Sequence, residues 1–255
     1  MSSRYYVAGC LAELEGFAEG RGLAEDAVWI AEAAEQPFHI AAALFWAGWL
    51  SRRQGDLHQA IPALERSLAL CHTANFPRLF PMAASFLSAA YALAGRAAEA
   101  LPLLDQTLER VAAGRRVIFH ALVLTELSEA LVLVGRVDEV CTLAGRLLEL
   151  YGTQTGRGYQ AHAYRLLGEA AARGDPPDAE QAETYYRQAL ALADELGMRP
   201  LQAHCHHGLG TLWAKLGRAE QARTALSIAI DLYRTMEMTF WLPQTEAALA
   251  HVERR

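Results

Sequence analysis

Residues 204–207 read His-Cys-His-His, a run of the side chains that most often bind zinc or carry protons. A zinc site needs three or four ligands converging on one point. On a helix, successive side chains diverge by about 100°, so of these four only His204 and His207, three apart, share a face. The run alone therefore supplies two ligands, and the sequence on either side decides what else faces them.

Other chemistry is scarce. The Gly208-x-Gly210 pair lacks both the third glycine and the preceding strand of a dinucleotide fingerprint, and it reads as a packing notch. No G-x-S-x-G, H-E-x-x-H or G-x-x-x-x-G-K-[ST] motif occurs, nor a carboxylate pair with a plausible base, so we expect no enzyme, no cofactor and no metal. The four cysteines, Cys10, Cys71, Cys141 and Cys205, are dispersed and fit reduced thiols in a cytoplasmic protein. A net charge of -6, from 23 basic and 29 acidic residues, leaves no basic footprint for nucleic acid. The first residues have no continuous apolar stretch before Glu13 and Glu15, so we expect no secretory signal there. The charge-free stretch Leu79 to Gly95 reaches only the lower limit for a membrane span and is diluted by Pro81, Ser85 and Ser88. We expect a buried helix there, and no membrane contact.

The elements that would position the histidines are legible from composition and period. Ala and Leu dominate a chain that is 53% hydrophobic, and β-branched residues are sparse, which favours helix throughout. A Gly followed five residues later by a small apolar residue recurs at Gly22, Gly55, Gly95, Gly135 and Gly217, with an extended copy from Gly174. The spacings, by subtraction, are 33, 40, 40, 39 and 43. Each Gly is placed to close one helix in the left-handed conformation, and the acidic residues after it suit the start of the next. A small-large-small register follows, as in Ala222, Leu226 and Ala229 or Ala182, Tyr186 and Ala189, where small residues let helices approach and the large one fills the gap.

The unit Leu209-Gly210, Trp213, Gly217, Ala222, Leu226, Ala229 resembles a tetratricopeptide repeat (TPR). The resemblance implies an all-α, right-handed superhelical solenoid of about six helix pairs plus a C-terminal capping helix, in one repeat domain over 1–255. The expected units are 5–36, 38–77, 79–114, 117–152, 158–198 and 200–237, with the cap at 242–255. Ser88 and Ser128 stand where other copies have Gly48, Gly168 and Gly210, and Val140 replaces the small Ala. The ending "LYRTMEMTFWLPQTEAALAHVE" is similar to the C-terminal repeat arrays of bacterial signalling proteins that carry a STAND-type ATPase with a nucleotide cyclase or DNA-binding module. No G-x-x-x-x-G-K-[ST] loop and no cyclase-like acidic strand motif occurs in this sequence, so the resemblance implies the repeat array alone.

In that register one face of each first helix lines a concave groove. It places Phe45, Trp49, Arg52 and Arg53 in the second repeat, His162, Arg165, Glu169 and Arg173 in the fifth, and His204, His207, Thr211 and Lys215 in the sixth. Met82, Ser85, Ala89, Leu122, Thr125 and Glu129 form a mostly apolar middle. His162, His204 and His207 could together hold a metal or small molecule, but groove and core histidines are the stronger reading. The expected function is a non-catalytic scaffold or sensor in bacterial signalling or regulation, binding a peptide or protein partner whose acidic groups meet Arg. The array of a split STAND-type regulator is the alternative. The apolar N-terminal helix, which lacks a polar cap, would dock on another domain or form a homodimer.

Overall fold

The computed structural model describes residues 2–113, 119–152 and 156–254. Among the described residues there are thirteen α-helices and no strand. The chain divides into two compact units. The first, residues 1–12 and 16–134, holds α1 (Ser2–Glu13), α2 (Phe17–Ala33), α3 (Pro37–Gln54), α4 (Leu57–Thr73), α5 (Phe80–Leu93), α6 (Ala97–Ala112) and α7 (His120–Val134). The second, residues 13–15 and 135–255, holds α8 (Val137–Tyr151), α9 (Arg157–Arg173), α10 (Ala179–Leu196), α11 (Arg199–Lys215), α12 (Ala219–Thr235) and α13 (Leu242–Glu253). The expected boundary between the third and fourth repeats falls at 114–117, outside the described residues, as does Arg255.

Glycine closes the turn inside four repeats: Gly55, Gly95, Gly135 and Gly217 have φ of 90°, 74°, 81° and 75°, a region that costs a residue without Cβ nothing. Gly22 does not act this way. It lies within α2, and the first turn is made by Glu15, at φ 72°, followed by Gly16. The true register therefore runs Gly20, Ala24, Ala27 and Ala31 in α2 beside Ala60, Leu64, Ser67 and Cys71 in α4 and Ala222, Leu226, Ala229 and Tyr233 in α12, all buried. The turn of the first repeat thus lies at Glu15, seven residues before Gly22, and its residue is not glycine.

The notch reading of the first-helix glycines is met in atomic terms. A Cβ on Gly48 would lie 2.6 Å from Leu64 Cγ, and one on Gly210 would lie 2.6 Å from Leu226 Cγ. Both leucines are fully buried, so neither can retreat. Ser88 and Ser128 fit at the same point by turning their hydroxyls back onto the helix, to the carbonyls of Ser85 and Leu124 at 2.8 Å each. α5 is buried from Phe80 to Tyr91, and no helix among the described residues is long and apolar enough to cross a membrane.

Candidate functional site

In the first unit the expected groove residues are turned inward. Phe45, Trp49, Arg52 and Arg53, all on α3, are 0%, 3%, 3% and 6% exposed. Their neighbours explain it. α5 carries no charge and α7 carries only Glu126 and Glu129, so both helices can pack closely along the face that the groove would need open. Met82, Ser85, Ala89, Leu122 and Thr125 are all buried there. Phe45 meets Phe86 edge-on at 4.6 Å, and Trp46 meets Trp49 at 5.3 Å.

The charges on that face are answered from within. Glu126, fully buried on α7, accepts hydrogen bonds from Arg52 Nη2 and, at 3.3 Å, from Trp49 Nε1. Arg53 reaches Glu126 at 3.9 Å and Glu129 at 3.7 Å, with its guanidinium 5.5 Å from the Trp49 ring centre. Burial raises the Glu126 carboxyl above the usual carboxylate range, and the two guanidiniums pull it back. Sequence reasoning singled out the arginines but missed Glu126. Its signal was present: an acidic residue inside the apolar run Leu122 to Val134 has to find a cation.

In the second unit the expected residues form two rows that open towards the C-terminal ends of α9 and α11. On α9, His162 and Arg165 are each 4% exposed. His162 Nε2 lies 2.9 Å from Glu13 Oε2, and Arg165 donates to Glu169 at 2.7 Å. Glu169 is half-buried and also accepts from Arg173, at 3.1 Å, which is exposed. On α11, His204, His207 and Thr211 are half-buried, and Lys215, one turn further on, is exposed. Arg173 also lines an open cleft of about 500 Å³ with Arg136, Asp138, Glu139 and Asp175.

The three histidines take three different partners. His204 Nδ1 lies 2.8 Å from the Tyr233 hydroxyl, with its ring edge-on to Trp241 at 4.9 Å. His207 Nδ1 lies 3.0 Å from Thr245 Oγ1, on α13. Among the described residues no three His, Cys, Asp or Glu side chains gather in a way that could hold a metal ion. Cys205 is fully buried, and burial pushes its thiol up to about 12.

The Thr245 hydroxyl fixes the His207 tautomer. It donates its one proton to the Trp241 carbonyl at 2.7 Å, so it must accept from His207 Nδ1–H. Burial, which disfavours the charged ring, holds His207 below the ordinary imidazole value of 6.5 and does the same to His206. The folded protein thus prefers these rings neutral, while the unfolded chain takes up protons as pH falls through 6.5. Stability is complete above that value and declines below it, by up to about 1.4 kcal/mol per pH unit for each site. Urea unfolding on either side of 6.5 should show this loss, and His207→Gln, which can still donate to Thr245, should reduce it. An unchanged pH dependence in that variant would remove His207 from the account.

Comparisons with known proteins give the fold. No protein-family model matches the sequence, and no curated protein matches it. Among solved structures, the Rap protein complexed with Competence and Sporulation Factor matches with a TM-score of 0.64 and 12% identity, covering 96% of this chain and 79% of that one. BtubC (BKLC) from P. vanneervenii matches at 0.56 and 18% identity, over 86% of this chain and 92% of that one. A kinesin light chain with nearly identical TPR-like repeats from Podosopora anserina matches at 0.51 and 18% identity, over 76% and 95%.

Proposed function

We propose that this chain, whose fold is that of tetratricopeptide-repeat proteins, is a non-catalytic interaction module that holds a peptide or protein partner through its second unit. The carrying observation is the difference between the two sets of expected residues. Arg52 and Arg53 are buried against a buried carboxylate, whereas Arg173, though paired with Glu169, and Lys215 are exposed to solvent. The exposed Arg173 and Lys215 suit an acidic segment, with Arg173 able to orient a carboxylate through its planar guanidinium. That Rap is solved in complex with a factor supports binding as the use of such a fold.

A regulatory role follows from this reading, because a module without chemistry of its own acts by bringing others together or holding them apart. The test is a paired capture from host lysate with the native chain and an Arg173→Glu/Lys215→Glu variant. Both positions are exposed, so helical content and unfolding midpoint should be unchanged. A partner held by the native chain and released by the variant supports the site; one held equally by both places recognition elsewhere.

A further inference from the structure

Trp29, on α2, is 71% exposed, the most exposed large hydrophobic side chain among the described residues. The corrected register gives this position an internal control. Counting nine residues on from Gly20, Ala60, Ala100, Val140, Ala182 and Ala222 reaches Trp29, Ala69, Glu109, Glu149, Ala191 and Asp231, and all six are exposed. Five of the six copies therefore carry a small or acidic residue where the helix faces water. The other five copies do without an indole there, and a Trp held out in solvent offers a large apolar surface of the kind that anchors partners.

The surroundings narrow what that partner is. Glu25, one turn before Trp29, is exposed on the same side of α2. Asp26 is paired with Arg4, and Glu32 with Arg66 at 2.6 Å. Along α2 the charges are Glu19, Glu25, Asp26 and Glu32 against Arg21 alone. On either side of the indole the surface is low. A Cβ at Gly22 would meet nothing within 4 Å, and Ala33 follows one turn after Trp29. A projecting ring flanked by small residues leaves room for a rod lying alongside, at the separations helices adopt when small residues meet.

We propose that Trp29 and Glu25 form a docking point for a basic amphipathic helix of a partner protein. The apolar stripe of that helix covers the indole, and a Lys or Arg beside the stripe pairs with Glu25 and lies against the ring face. This surface belongs to the first unit and shares no residue with Arg173 or Lys215.

The test uses the full chain and a labelled, end-blocked Leu–Lys amphipathic helical peptide, with binding read by fluorescence anisotropy. A Leu–Glu peptide of the same pattern is the charge control. The native chain should bind the Leu–Lys peptide and not the Leu–Glu one. Trp29→Ala should weaken binding by about tenfold or more, the scale of an aromatic anchor, with its unfolding midpoint unchanged. Glu25→Lys should weaken it by roughly threefold to tenfold, while Glu109→Lys, the same charge change at the exposed position of α6 that corresponds to Trp29, should leave it within about twofold. Equal losses from Glu25→Lys and Glu109→Lys would reduce the effect to bulk charge and overturn the proposal. So would a Trp29→Ala variant that binds as the native chain does. Light scattering on the protein alone supplies the last outcome: self-association abolished by Trp29→Ala would make the occupant a second copy rather than a basic helix.

Discussion

Glu126→Ala should lower the unfolding free energy by about 3–5 kcal/mol, the cost of stripping one partner from a buried ion pair. The substitution removes the carboxylate that Arg52, 3% exposed, and Arg53, 6% exposed, both face, and it leaves Glu129 beside Arg53. It also takes the acceptor from Trp49 Nε1. Glu126→Gln keeps the shape and the acceptor oxygen but removes the charge, so it should fall between native and Ala. Replacing both ends, Arg52→Met with Glu126→Leu, should recover part of the loss, since an apolar pair avoids the desolvation of Arg52 and Glu126 while Arg53 and Trp49 Nε1 still lose the carboxylate. Guanidinium unfolding of the four proteins is the check. A single Glu126→Ala loss below about 1 kcal/mol, the range of exposed pairs, would mean that water reaches the cluster.

Tyr233→Ala should cost a similar amount, about 3–5 kcal/mol, by opening a cavity that the backbone cannot close. Tyr233 is the largest of the fully buried side chains. Its ring stacks on Trp241 at 6.0 Å, and its hydroxyl meets His204, so it ties α12 to α11 and to the start of α13. Tyr233→Phe keeps the ring and should cost only about 1 kcal/mol, the worth of one hydrogen bond. If the two variants were equally damaged, the hydroxyl rather than the packing would dominate. In Tyr233→Ala, Trp241 fluorescence should shift towards that of a water-exposed indole at denaturant concentrations too low to unfold the rest of the second unit.

Most of the fold was legible because the signals are local. Gly55, Gly95, Gly135 and Gly217 each mark a turn that needs positive φ, and the small-large-small pattern after them needs no distant information. The first turn was misread because Glu15 takes the same conformation without advertising it, and Gly22, a glycine at nearly the right interval, stood in its place. The candidate site was less legible. Period and register assign a residue to a face of its helix, but not how far away the next helices lie. The pattern singled out Arg52 and Arg53, yet α7 approaches closely enough for Glu126 to reach them. His204 and His207 meet Tyr233 and Thr245, which come from helices that no spacing within α11 could name.

The contact between α3 and α7 has a further consequence for how the first unit comes apart. In a linear array where each repeat touches only its neighbours, unfolding can begin at an end and travel inward one repeat at a time, as in a one-dimensional lattice. Arg52 and Glu126 are 74 residues apart and belong to the second and fourth repeats. Their bond couples sites two steps apart on that lattice, across the third repeat, whose α5 is buried from Phe80 to Tyr91, so loosening of that repeat is expected to strain it. Amide exchange in α3, α5 and α7 should then occur as a single event of one free energy, rather than as a gradient along the chain.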